Sequence, residues 1–155
     1  MNGERITLDT NILIYAVDPR DAEKHAAALA IVHAAAAQDC WLTNQALSEF
    51  FATAIHKMKM PIRVAAAHVE DWMVFFPSAE TTRDAIRKAI RATESGKFSY
   101  WDALLLAAAE EAGCAVVLSE DMADGAKLGA VTVRAPFAHD GISPAASRLL
   151  RLKGG

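Results

Sequence analysis

Short apolar runs separated by much longer helix-like segments constrain this chain more than any other feature. The runs are Arg5 to Leu8, Cys40 to Leu42, Ala115 to Leu118, and one beginning at Val131 that must stop by Pro136. Strands this short and this apolar are buried on both faces, and helices between them act as crossovers that make neighbouring strands parallel. The expected fold class is therefore α/β: a single domain with a central parallel sheet of about four to five short strands, flanked by helices on both sides.

The helices carry their own start and stop signals. One begins after Asp9-Thr10-Asn11 and stops near Asp18-Pro19. Asp21 caps an alanine-rich helix over 22–37, and Thr43 or Asn44 caps another that reaches about Met58. Pro61 suits the first turn of a helix to about Phe75, which Phe76-Pro77 breaks. Residues 80–93 read as an amphipathic helix with Arg83, Arg87, Lys88 and Arg91 on its exposed side. Ser99 opens the next helix, which runs to Gly113. The tail from His139 is more polar and holds a short helix around 145–150.

Composition narrows the class. The chain has 155 residues, 53% hydrophobic and 23% charged, with a formal net charge of −3. A domain of this size buries roughly 70% of its unfolded surface, so it needs no disulfide or metal staple. The balance is not that of a protein that wraps duplex nucleic acid; any contact with nucleic acid is local. Cys40 and Cys114 lack zinc-ligand spacing and read as small core residues in a reduced compartment. No secretory leader and no membrane-spanning run is visible, so a cytoplasmic location is expected.

Acidic residues supply the chemistry. In open parallel sheets, ligands bind beyond the carboxyl ends of strands. Asp9 and Asp121 both fall there, and Asp9 lies in the nearly all-apolar stretch ITLDTNILIYAV, where an unpaired carboxylate is costly. Asp102 opens a helix that is apolar all round, and so buried. Ser99-Tyr100-Trp101-Asp102 fits a capping box as well as it fits a ligand position. Glu49 lies away from the apolar stripe of its helix, beside Gln45 and His56, and by pattern alone is a solvated glutamate. Tyr100 or Trp101 is of a type to stack on an unpaired base, but Trp101 reads rather as a core residue; the five histidines read as surface or core fillers with no metal-binding pairing, His56 alone being a weak candidate for substrate contact.

The segments LDTNILIYAVD, QALSEFF, FSYWDALLLAAAEEAGC, VLSEDMADG and VTVRAPF, in this order, resemble PIN-domain proteins, specifically VapC-like toxins of bacterial toxin–antitoxin pairs. The resemblance runs from about Ile6 to Phe137. It implies a PIN domain over 1–137, with 138–155 as a C-terminal tail of the same domain. It further implies an endoribonuclease that uses Mg²⁺ or Mn²⁺, a homodimer, and a cognate antitoxin partner. Its catalytic acids map onto Asp9, Glu49, Asp102 and Asp121, with Asp9, Asp102 and Asp121 as metal ligands. Asn11 and Ser119 map onto supporting polar positions, and Glu120 stands close enough to Asp121 to share or replace its role. The family's Asn-Pro-Phe near the end is Ala135-Pro136-Phe137 here, and the tail after His139 has no counterpart.

The chemistry suits those residues. Clustered carboxylates raise one another's pKa values, and a divalent cation relieves the conflict. Mg²⁺ takes one or two carboxylates and keeps several waters, one of which can be activated for in-line attack on a phosphodiester. RNA affinity would come from Lys57, Lys59, Arg63 and the 83–97 cations. Two other readings remain: a PIN-fold RNA-processing nuclease without an antitoxin, and a catalytically silent RNA-binding module. An aspartyl phosphatase is disfavoured, because its second acid is Asn11 here.

Overall fold

The structure, a computed structural model, describes residues 3–153. In chain order, β1 (Ile6–Leu8) leads into α1 (Thr10–Val17) and α2 (Ala22–Ala35). Next come β2 (Leu42–Thr43), α3 (Asn44–His56) and α4 (Ile62–Phe75), then β3 (Ser78–Ala79), α5 (Arg83–Glu94) and α6 (Tyr100–Glu111). After them come β4 (Val116–Leu118), β5 (Lys127–Leu128), β6 (Val131–Arg134), β7 (Phe137–Ala138), β8 (Gly141–Ile142) and α7 (Pro144–Leu149).

The central sheet has the order β1-β4-β6-β5. The first three strands are parallel, with Leu8 opposite Leu118 and Leu118 opposite Arg134. Strand β5 pairs antiparallel with β6. The other edge of β1 is occupied too: Ile6 N–H donates to Asp39 O at 3.0 Å, and Trp41 N–H donates to Ile6 O at 2.9 Å. The expected strand over 40–42 is thus divided. Its first residues lie along β1, and Leu42–Thr43 pairs in parallel with β3.

Two boundaries depart from the sequence reading. The amphipathic helix begins at Arg83 rather than Glu80, because Thr82 Oγ1 caps it by accepting from Ala85 N–H at 3.0 Å. Residues 80–82 form the link from β3 to this helix. The alanine-rich helix ends at Ala35 rather than 37, where the chain turns back toward β1.

All six residues of β1 and β4 are buried. Phe50 on α3 is fully buried, and the Trp72 ring meets it edge-on with centroids 4.6 Å apart. Truncating Phe50 to Ala would cost about 3–5 kcal/mol. Helix α6 is buried from Ala103 to Ala109, as its all-round apolarity requires. It packs on α5 through Ala85 and Ala89 against Ala103 and Ala107, all fully buried. Small residues let two helix axes approach closely. Ala146 and Leu150, at the end of the described chain, join the main core. Cys40 and Cys114 are free and buried. Among the described residues no helix is long and apolar enough to cross a membrane.

Candidate active site

Three consecutive residues after β1 organise the site. Asp9 is the N-cap of α1 and is only 8% exposed. Its backbone N–H donates to Leu118 O at 2.9 Å, which ties the ends of β1 and β4 together. Its Oδ1 accepts from Thr10 N–H at 2.7 Å, and its Oδ2 from the Ser119 hydroxyl at 2.6 Å. Thr10 Oγ1 in turn donates to Glu49 Oε2 at 3.2 Å, and Asn11 Nδ2 donates to Asp121 Oδ2. The triplet therefore supplies one acid and holds two others, at a helix N-terminus whose dipole favours negative charge.

Ser119 sits just past β4 and is fully buried. Besides donating to Asp9, its Oγ accepts from Asp121 N–H at 3.1 Å. One hydroxyl thus fixes the distance between two strand-end acids.

Asp102 approaches from α6. Ser99 Oγ accepts from Asp102 N–H at 3.3 Å, which is one half of a capping box. The return bond is not made: among the described residues the Asp102 carboxylate has no hydrogen-bond or ion-pair partner. Its charge instead falls on the other acids.

Electrostatics tie these three acids together. Burial raises the Asp9 carboxyl from its ordinary value to about 6; the Ser119 and Thr10 hydrogen bonds pull it down, and the charges of Asp121 and Asp102 push it up further. Asp121 is also raised, first by partial desolvation and then by the charges of Glu120 and Asp102, against Lys24 and Asn11. A carboxylate pair or trio in one pocket cannot ionise without such mutual cost.

Glu49 completes the cluster from α3. Gln45 Nε2 donates to Glu49 Oε1 at 2.7 Å and to the Trp101 carbonyl at 3.0 Å. Glu49 is half-buried and held at both oxygens, unlike the solvated residue that its helical position suggests. The amide hydrogens of Gln45 are fully used, while its Oε1 is buried without a partner. Such an orphan costs stability, and here it accompanies a firm grip on Glu49.

Glu120 turns elsewhere. Its carboxylate accepts from Lys24 Nζ at 2.9 Å, and Lys24 also donates to Tyr15 OH at 3.3 Å. Thr10, Gln45 and Lys24 were not singled out by sequence. Of these, Gln45 alone left a signal, the four-residue spacing to Glu49. Trp101 corrects another reading: it is 63% exposed and not core.

The donor set is oxygen only. Among the described residues no group of three or more His, Cys, Asp or Glu is gathered closely enough to hold a metal ion as it stands. Asp9, Asp102 and Asp121 lie within electrostatic reach of one another, and Glu49 joins them through Thr10.

A mostly parallel sheet with Asp9 and Asp121 just beyond its strand ends, and Asp102 of α6 within electrostatic reach of both, defines the class: an α/β protein with acidic residues at the carboxyl edge of its sheet. The family described as the PIN domain matches residues 6–123, and the chain belongs to it. Solved structures share the fold. VapC20 of Mycobacterium tuberculosis, described as a sarcin–ricin loop cleaving toxin, is 18% identical, with 82% of this chain and 98% of that one covered and a TM-score of 0.60. The DNA-bound VapBC of Salmonella typhimurium is 14% identical, with 85% and 98% covered and a TM-score of 0.61. A toxin–antitoxin complex from Klebsiella pneumoniae is 19% identical, with 82% and 95% covered and a TM-score of 0.55. A comparison with curated proteins finds no match.

Proposed function

We propose that this chain is a Mg²⁺- or Mn²⁺-dependent endoribonuclease and the toxin of a VapBC-type pair. One observation carries the reading: a buried aspartate, Asp9, is held by the Ser119 hydroxyl where the charges of Asp102 and Asp121 also act on it. Such a cluster has a surplus of hard oxygen donors and negative charge. Lys24, the cation at its edge, is committed to Glu120. This fits a divalent ion that takes one or two carboxylates and keeps its other waters.

Asp9, Asp102 and Asp121 would hold the ion, one or two of them directly and the rest through its waters. When bound, it would orient the scissile phosphate, offset charge on its oxygens and activate a water. Ser119 and Asn11 keep Asp9 and Asp121 aimed. Glu49, gripped by Thr10 and Gln45, presents a fixed carboxylate to orient water or accept a proton.

The cations expected to meet RNA divide into two groups. Arg87 pairs with Asp84, Lys88 with Glu110, and Lys97 donates to Lys127 O. Lys57, Lys59, Arg63, Arg83 and Arg91 have no partner among the described residues and are available to phosphates. Exposed Val74 and Phe75 on α4 supply apolar surface of the kind a second copy or an antitoxin covers. The toxin–antitoxin complexes among the structural relatives support that partner class.

The test is cleavage of total cellular RNA by the purified chain with Mg²⁺, with chelator, and as the Asp102→Asn variant. Discrete fragments that need both metal and Asp102 are expected. Uncut RNA from a folded protein free of antitoxin would point instead to the silent binding module.

A further inference from the structure

Trp101 is the second residue of α6, whose residues Ala103 to Ala109 are all buried, yet 63% of it is exposed. It adjoins Asp102 in the chain, and its carbonyl is held by the same Gln45 amide that holds Glu49. The Tyr100 ring meets the indole edge-on, with centroids 5.2 Å apart and planes 70° apart, which limits its swing. Beside it lies a recess of about 330 Å³ between α3 and α6, lined among others by Gln45, Ser48, Glu49, Thr81, Trp101 and Leu104. Its walls combine an aromatic face and an aliphatic side chain with hydroxyl and amide groups. That is the surface a flat heterocycle with polar edges requires.

We propose that this recess is a nucleobase subsite, in which an unpaired base of an RNA substrate stacks on Trp101 while the adjoining phosphate meets the acids. The inference rests on the nuclease reading and adds a subsite to it. An indole accepts the face of any base, so the contact is tolerant of sequence. A base in a duplex has both faces covered by its neighbours, so the subsite selects loops and single strands. Ser48 and Thr81 offer hydroxyls to the edge of the base. The tie from Gln45 to the Trp101 backbone sets the spacing between stacked base and Glu49.

The experiment is equilibrium binding of an unstructured RNA of about 12 nucleotides and of a duplex of equal length. Chelator is present so that nothing is cut, and both anisotropy and tryptophan quenching are read. Wild type, Trp101→Phe and Trp101→Ala are compared. Removing the indole should weaken single-strand binding by roughly 5- to 150-fold and abolish most of the quenching. Phe should restore most of the affinity, and duplex binding should not change. Thermal melting of Trp101→Ala should match wild type, since the side chain is exposed.

In cleavage assays with metal, KM should rise while kcat changes little. Wild-type affinity in Trp101→Ala overturns the proposal, and so does an absence of single-strand binding by wild type. A third contrary result is loss of a dimer on sedimentation with affinity per protomer intact, which would make Trp101 an interface residue. If wild type cuts no RNA but binds single strands through Trp101, the nuclease reading fails and the subsite stands. If it cuts RNA and Trp101→Ala binds and cuts equally well, the subsite fails and the nuclease stands.

Discussion

Replacing Asp9 with Asn should stabilise the fold at neutral pH while abolishing activity. Folding lifts the Asp9 carboxyl from its ordinary 3.8 to about 6. The folded-state pKa thus lies above the unfolded one. The stability this gives is fully present below pH 3.8 and is lost as pH rises through about 6. At pH 7.5 the ionised group costs about 3 kcal/mol relative to an unperturbed aspartate. Asn carries no charge and keeps an acceptor for Thr10 N–H. It offers Ser119 an amide in place of Oδ2, and loss of that bond costs about 1 kcal/mol. The net gain is about 2 kcal/mol, or roughly 4–8 °C in Tm for a domain of this size. At pH 4 the gain should vanish or reverse, because Asp9 is then protonated in the folded state. Calorimetry of both proteins without divalent metal at pH 7.5 and pH 4 checks this. An Asp9→Asn protein less stable than wild type at pH 7.5, or equally stabilised at both pH values, would refute the reasoning.

Three further outcomes follow from the same contacts. Ser119→Ala removes the hydroxyl that lowers the Asp9 pKa and orients Asp121; activity should fall roughly 10- to 100-fold, and the acid limb of the pH–rate profile should move to higher pH. Gly129→Ala should destabilise the fold by about 1–3 kcal/mol in urea titrations, because Gly129 has φ +57° and an added Cβ would lie 1.7 Å from Glu110 Oε2. That carboxylate accepts from Ala130 N–H and Lys88, so it cannot withdraw freely. The two thiols should resist aromatic disulfide reagents until the protein unfolds, since burial holds Cys114 at about 11 and Cys40 higher still; fast labelling of the native protein would contradict this.

The long elements were legible in the sequence because their signals are local. Capping residues Asp21, Thr43 and Ser99 each mark a helix start that the structure keeps. The runs at Ile6 and Val116 are continuous and apolar because both faces of the sheet are covered. The two-residue strands β3, β5, β7 and β8 were not legible, since each is defined by a partner backbone rather than by its own side chains.

The site divides in the same way. Asp9 and Asp121 stand out as acids at strand ends. Glu49 does not, because Thr10, which holds one of its oxygens, comes from α1 and only the fold joins them, while Gln45 is its neighbour one turn back on α3. Asp102 was balanced between cap and ligand. Its carboxylate leaves the Ser99 backbone unbonded, so the capping box is only half made. Trp101 was misread because a helix apolar on every side predicts burial throughout, and its first turn extends beyond the core.

Binding of Mn²⁺ followed by paramagnetic resonance tests the central claim most directly, with wild type compared against Asp9→Asn and Asp121→Asn, and RNA cleavage recorded at each metal concentration. The expected result is Mn²⁺ bound by wild type, affinity at least about tenfold weaker in either variant, and cleavage that rises with occupancy. Equal Mn²⁺ affinity in all three proteins, or cleavage that persists in chelator, would contradict it.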